Sequence, residues 1–272
     1  LRAEQQLADD LPVDAINTLD AANLQPLPPR GLWLRSEALA RAGRAHEAYG
    51  QLGALRQSKV LPAEALTTLE ARLAAQALLE AADVNALAAQ WETMPKTLRS
   101  DPAVVSAYAA RAVALDWDEP ALLALEQALD QRWSDELVEL YGVLPASRLA
   151  TRDANLVRWR RTQGDSPALL LAQGRVALAQ GRHDDAEVLL HEAIAGGAGA
   201  SAWEALGASL LARGESQLAA QCLANALREQ RGEDSVALVR TDALASAPRA
   251  TVEDQVMTPV PPVYDAREPR DE

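Results

Sequence analysis

The stretch that decides the fold is residues 203–227, WEALGASLLARGESQLAAQCLANAL, set against residues 169–194, LLLAQGRVALAQGRHDDAEVLLHEAI. Gly174, Gly181, Ala186, Leu190 and Ala193 of the earlier phrase return as Gly207, Gly214, Ala219, Leu223 and Ala226. All five steps are the same, a period of about 33 residues, in the range of helical-hairpin repeats. Trp203, Leu206, Gly207 and Leu210 are spaced by threes and fours, which puts them on one face of a helix. Gly207 lacks a Cβ, so a second helix can come close there. Gly214 falls just after the first helix, where a left-handed residue ends it without steric cost. Ala219 and Ala226 keep the second helix near the first, and Leu223 is expected to fill the space between them. One such hairpin leaves an apolar face open; a stacked neighbour closes it.

The register continues toward the N-terminus. LWLRSEALARAGRAHEAYGQL (32–52) sets Gly43, Ala48 and Leu52 at the offsets of Gly181, Ala186 and Leu190, and Ala15 and Leu19 lie one further period back. The middle is degenerate. Residues 101–129 fit a hairpin with Pro102 at a helix start and Ala121, Leu125 and Ala128 on the second helix. Residues 62–94 read as a longer helix from Pro62 to about Glu80 and a shorter one ending near WETMP, and SDELVELYGVL and DANLVRWRRTQG supply two more. The Trp-x2-Leu-Gly-x2-Leu, Gly, Ala-x3-Leu-x2-Ala order resembles the tetratricopeptide signature. That resemblance implies an all-α, tetratricopeptide-like right-handed superhelix of stacked antiparallel helix hairpins over residues 1–245, with its best repeats at 166–229. Residues 246–272 hold five prolines, more acids than bases and no periodicity, and are expected to be a flexible Pro-rich acidic tail. Within it, TPVPPVY with Tyr264 is either a short docking motif or plain solvated chain.

Composition agrees with a helical reading. Of 272 residues 49% are apolar, yet aromatics are 4% and Phe is absent, so Ala and Leu carry the core. The net charge of −13 opposes binding to nucleic acid and to anionic lipid. Only Lys59 and Lys96 are lysines; the other cations are Arg. One cysteine, Cys222, excludes an intrachain disulfide and a multi-thiolate metal site, and its place in an alanine-rich pattern reads as a small buried apolar residue. No uninterrupted apolar run reaches the roughly 18–20 residues of a membrane helix, and no signal peptide is recognisable. The chain opens LRAEQQLADD, without Met and in helical pattern, which reads as the interior of a longer protein.

Chemistry-bearing motifs are scarce. No GxSxG, Walker loop, HExxH, CxxC or Gly-rich loop after a strand occurs. His46 and His183 fall in inter-helix turns, His191 is expected to face solvent, and no pairing suggests axial haem ligation. The acidic runs HDDAE (183–187) and DWDE (116–119) lie at helix starts, where capping and the helix dipole explain them. Trp203 reads as core. Trp33 is one position later in the repeat and, with Glu37 and Arg41, makes an i, i+4, i+8 stripe for an inner face. Arg158, Arg160 and Arg161 surround Trp159 as a local basic patch. It either receives a partner carboxylate or is a solvated face paired with neighbouring acids.

The run WSDELVELYGVL, DANLVRWRRTQGDSPALLLAQGRVALAQGRHDDAEVLLHEAI and AWEALGASLLARGE, over residues 133–228, resembles the repeat domain of HemY-type proteins. Its LYG, its Trp helix and GRVAL, with Arg175, carry the likeness. The resemblance implies a bacterial inner-membrane protein associated with late protohaem biosynthesis. Two N-terminal membrane helices, outside this chain, would precede the repeat domain, which would lie on the cytoplasmic side. It implies no catalytic residue and no metal. A concave repeat surface without catalytic motifs reads as a non-catalytic scaffold whose partners are other proteins, such as haem-pathway enzymes, with Trp33, Glu37, Arg41, Arg158, Trp159, Arg161 and Arg175 as candidate partner-binding residues. Two alternatives remain open: a haem or porphyrin carrier, and a tetratricopeptide adaptor of another envelope pathway such as lipopolysaccharide-assembly regulation. The dinucleotide fingerprint of a flavin-dependent protoporphyrinogen oxidase is missing.

Overall fold

The computed structural model describes residues 2–21, 26–145 and 147–239, so the expected tail at 246–272 and its Tyr264 lie outside the described residues. What is described is all-helical, with no strand among the described residues. In chain order the helices are α1 Arg2–Ala8, α2 Pro12–Asp20, α3 Pro29–Arg41, α4 Ala45–Gly50, α5 Leu52–Ser58, α6 Ala63–Leu79, α7 Val84–Thr93 and α8 Pro102–Ala114. They continue as α9 Asp118–Gln131, α10 Asp135–Val143, α11 Leu149–Gln163, α12 Pro167–Ala179, α13 His183–Ala195, α14 Ala200–Ala212 and α15 Ser216–Gln230.

The two best repeats appear as the hairpins α12–α13 and α14–α15, whose corresponding helices begin one sequence period apart, at Pro167 and Ala200 and at His183 and Ser216. Each hairpin is closely packed, and α13 also packs on α14. The turns explain the register. After α14, Gly214 takes φ +81, its N–H bonds to Leu211 O at 3.0 Å and the Glu215 N–H bonds to Leu210 O at 2.9 Å. This pair of bonds satisfies two carbonyls at the helix end and needs a left-handed residue at its centre. Gly181 and Gly43 make the same turn. Asp10 and Asp116 make it without glycine, at φ 56 each, and Asp10 stands one period before Gly43.

Small residues set the helix spacing. A Cβ on Gly174 would lie 2.8 Å from Leu190 Cγ, and one on Gly207 would lie 3.3 Å from Cys222 Cβ. Ala186, Ala193, Ala219 and Ala226 are all buried. Leu223 departs from expectation. It is 48% exposed although Leu190, its counterpart, is fully buried, because among the described residues no further hairpin covers α15. Leu211 of α14 and Leu227 of α15 are exposed as well.

The middle helices also lie where the sequence sets them, with two differences. The second helix of the repeat at 32–52 is broken at Gln51 into α4 and α5, and α11 begins at Leu149, ahead of the DANL phrase. Two hydrophobic clusters meet at α6. Its Leu69 and Leu73 join the cluster of α1–α5, and its Ala74 and Leu78 join the cluster running on to α12. Asp184 and Asp185 of HDDAE and Asp118 and Glu119 of DWDE sit in first helical turns without a side-chain cap, while Asp116 holds the left-handed turn before α9; Asp184 and Asp185 bind Arg213 and Arg182 instead.

Candidate functional site

Three of the sequence-selected residues converge. Trp33, Glu37 and Arg41 project from α3 into one cleft of ≈ 330 Å³, together with Leu34, Arg30 and the α1 residues Glu4, Leu7 and Ala8. α3 is started by Pro29 in its first turn, where the missing N–H costs nothing. The 3.6-residue repeat then aligns positions 30, 33, 34, 37 and 41 along one side. The other side of α3 is held by the fully buried Ala38 and Leu39 and by Arg35, whose Nε donates to Asp20 Oδ1 of α2 at 2.7 Å.

Polar contacts clasp α1 to α3 across this cleft. Arg41 Nη1 donates to Leu7 O at 2.8 Å, a second and shorter bond to a carbonyl at the end of α1 that the Asp10 N–H reaches at 3.3 Å. Arg30 Nε donates to Glu4 Oε1 at 2.8 Å, and this hydrogen bond holds the Glu4 carboxyl below its ordinary range. Glu37 is paired with Arg72 of α6. The result is an apolar floor made by Trp33, Leu7, Ala8 and Leu34, rimmed by two acids and two guanidinium groups whose positions are already fixed. The rim offers carboxylates and N–H donors at set places; the half-buried indole offers a flat apolar surface.

The other four candidates lie elsewhere. On α11, Trp159 is 2% exposed and belongs to the core, so its ring is withdrawn from any docking face. Its Nε1 donates to Asp130 Oδ1 at 2.7 Å, and Tyr141 and Trp133 meet its ring edge to face. Arg158 also donates to Asp130, at 2.8 Å, and Arg160 pairs with Asp165 and Glu192. Those two cations therefore follow the paired-face reading, while Arg161 is exposed. Arg175, on α12, is half-buried between Glu139 of α10 and Glu204 of α14, and desolvation pulls its guanidinium below the ordinary range.

Sequence reasoning missed the partners across the cleft. Glu4 and Arg30 are far apart in the chain, and no local pattern links them. It also missed Arg152, 1% exposed, which donates to the carbonyls of Tyr141, Leu144 and Pro145 at the end of α10. An arginine inside a polar stretch gives no sign that it turns inward. Gly142, within the LYG phrase, would place a Cβ 2.7 Å from Ala172 Cα, so the phrase records a close α10–α12 approach.

Among the described residues no group of three or more His, Cys, Asp or Glu could hold a metal, and no helix is long and apolar enough to cross a membrane. Compared with known proteins, the chain matches no family model and no curated protein sequence.

Proposed function

We propose that this chain is a non-catalytic scaffold that docks other proteins on the α1–α3 cleft, built as a tetratricopeptide-like right-handed superhelix of stacked hairpins. The observation that carries the reading is the convergence of Trp33, Glu37 and Arg41, with Arg30 on the same helix, in one cleft with Glu4 of α1 opposite. An aromatic side chain on an apolar floor, with arginines and acids at its polar rim, is what protein interfaces concentrate. The cleft lining contains no Cys, His, Ser or Lys, and its one perturbed acid, Glu4, is held ionised rather than poised to donate a proton.

By the HemY-type resemblance of residues 133–228, the partners are enzymes of late protohaem biosynthesis, gathered at the bacterial inner membrane on its cytoplasmic side. The regular hairpin register and the close approach at Gly142 support the repeat reading. A macrocycle in the same cleft would find no His, Cys or Met to ligate iron, and would have to rest on Trp33 alone.

The test is co-purification of protohaem-pathway enzymes on the immobilised chain. Capture is expected to fall at least tenfold with Trp33→Ala and to persist with Arg161→Ala. Capture indifferent to Trp33→Ala removes the reading, and a Soret shift on haem titration, lost in the same variant, would replace it with the carrier.

A further inference from the structure

The chain beyond α15 turns back on the helix it has just left. Gly232, at φ +73, ends the helix, and the Glu233 N–H bonds to Arg228 O at 2.9 Å. Arg231 then grips Glu233 through two bonds of 2.7 and 3.1 Å. A little beyond the turn, Val236 meets Asn225. The Asn225 Nδ2 donates to Val236 O at 2.7 Å, and the Val236 N–H donates to Asn225 Oδ1 at 2.9 Å.

This is the hydrogen-bonding pattern of a strand pair, with a side-chain amide in place of one strand. A residue directs its own N–H and C=O to the same side only when extended, so the contact selects an extended main chain and ignores its side chains. Asn225 is 2% exposed, whereas Val236 is 53% exposed: the receptor is built into the helix and the occupant lies on top. Gln217 and Gln221 precede Asn225 at steps of four on α15. Four helical residues rise about 6 Å and two extended residues about 6.6 Å, so amides at this spacing keep pace with alternate residues of an extended chain. The repeat does not require them. Their counterparts one period earlier are Asp184, Val188 and Glu192.

We infer that the Asn225 edge of α15 is a receptor for extended main chain, and that the chain's own Glu233–Val236 is a strap seated on it in place of a partner's extended segment. The strap holds the edge because it is tethered, which gives it an effective concentration of about millimolar. An incoming peptide has to displace it. This site is separate from the α1–α3 cleft and does not depend on what that cleft binds.

The experiment uses the full chain and a labelled synthetic peptide of sequence GEDSVALV, read by fluorescence anisotropy. Wild type is expected to bind it weakly. Val236→Pro, which removes the strap's N–H at an exposed position, is expected to raise the peptide's affinity at least tenfold. Adding Asn225→Asp, which keeps the shape but loses the amide donor, is expected to return binding to the wild-type level. Equal affinity in wild type and Val236→Pro overturns the inference, and so does tight binding that survives Asn225→Asp. Hydrogen exchange gives a second reading on the unmodified fold. The Val236 amide is expected to be protected in wild type; exchange as fast as in an open peptide also overturns the strap.

Discussion

Gly142 and Ala172 touch across α10 and α12 so closely that a Cβ on the glycine would stand 2.7 Å from the alanine's Cα and 2.9 Å from its Cβ. The obstacle includes backbone, which cannot swing aside. Gly142→Ala is therefore expected to destabilise the fold by about 2–3 kcal/mol despite the higher helix propensity of alanine. Gly207→Ala, whose nearest obstacle is Cys222 Cβ at 3.3 Å, is expected to be near neutral. Urea unfolding of both variants checks the order; equal costs would contradict it.

The shared turn gives an opposite prediction. Asp10 and Asp116 hold the left-handed position that Gly43, Gly181 and Gly214 hold elsewhere. Asp10→Gly and Asp116→Gly are each expected to stabilise by about 0.5–1 kcal/mol, and Gly181→Ala to cost about 1 kcal/mol. Thermal melts of the three variants measure this.

Burial separates neighbours on α11. Trp159→Ala is expected to cost about 3–5 kcal/mol, because it empties a core site lined by Tyr141 and Trp133. Arg161→Ala, on an exposed residue, is expected to change stability by under about 0.5 kcal/mol. Chemical denaturation compares them directly.

Cys222 is buried on α15, and desolvation, helped by the charge of Glu187, pushes its thiol up to about 11. Iodoacetamide at pH 8 is expected to leave it unmodified in the folded chain and to label it in urea, by mass spectrometry. The folded state binds the thiol proton more tightly than the unfolded state. Its contribution to stability is thus intact below about pH 8.5 and is lost as pH rises toward 11. Cys222→Ala is expected to flatten that alkaline decline.

Periodic packing is legible in the sequence; long-range polar pairing is not. Gly174, Gly207, Ala186 and Ala219 announce themselves because a close helix approach demands small residues at fixed intervals. The Trp33, Glu37 and Arg41 stripe is legible for the same reason, since one helix face follows from spacing alone. The opposite wall, Glu4, Leu7 and Ala8, and the bond from Arg30 to Glu4 depend on how α1 docks, which no local pattern encodes. Trp159 misleads because its arginine neighbours suggest a surface, while a helix places successive residues about 100° apart and can bury one of three. Leu223 is expected inside because its period-mate Leu190 is; only the position of α15 in the order of hairpins decides otherwise.

The docking claim is tested most directly by hydrogen–deuterium exchange of the chain with and without a bound protohaem-pathway enzyme. The expected result is added protection in Arg2–Ala8 and Pro29–Arg41, the helices that form the cleft, and its loss with Trp33→Ala. Protection confined to other helices, with α1 and α3 exchanging as in the free chain, would contradict the account.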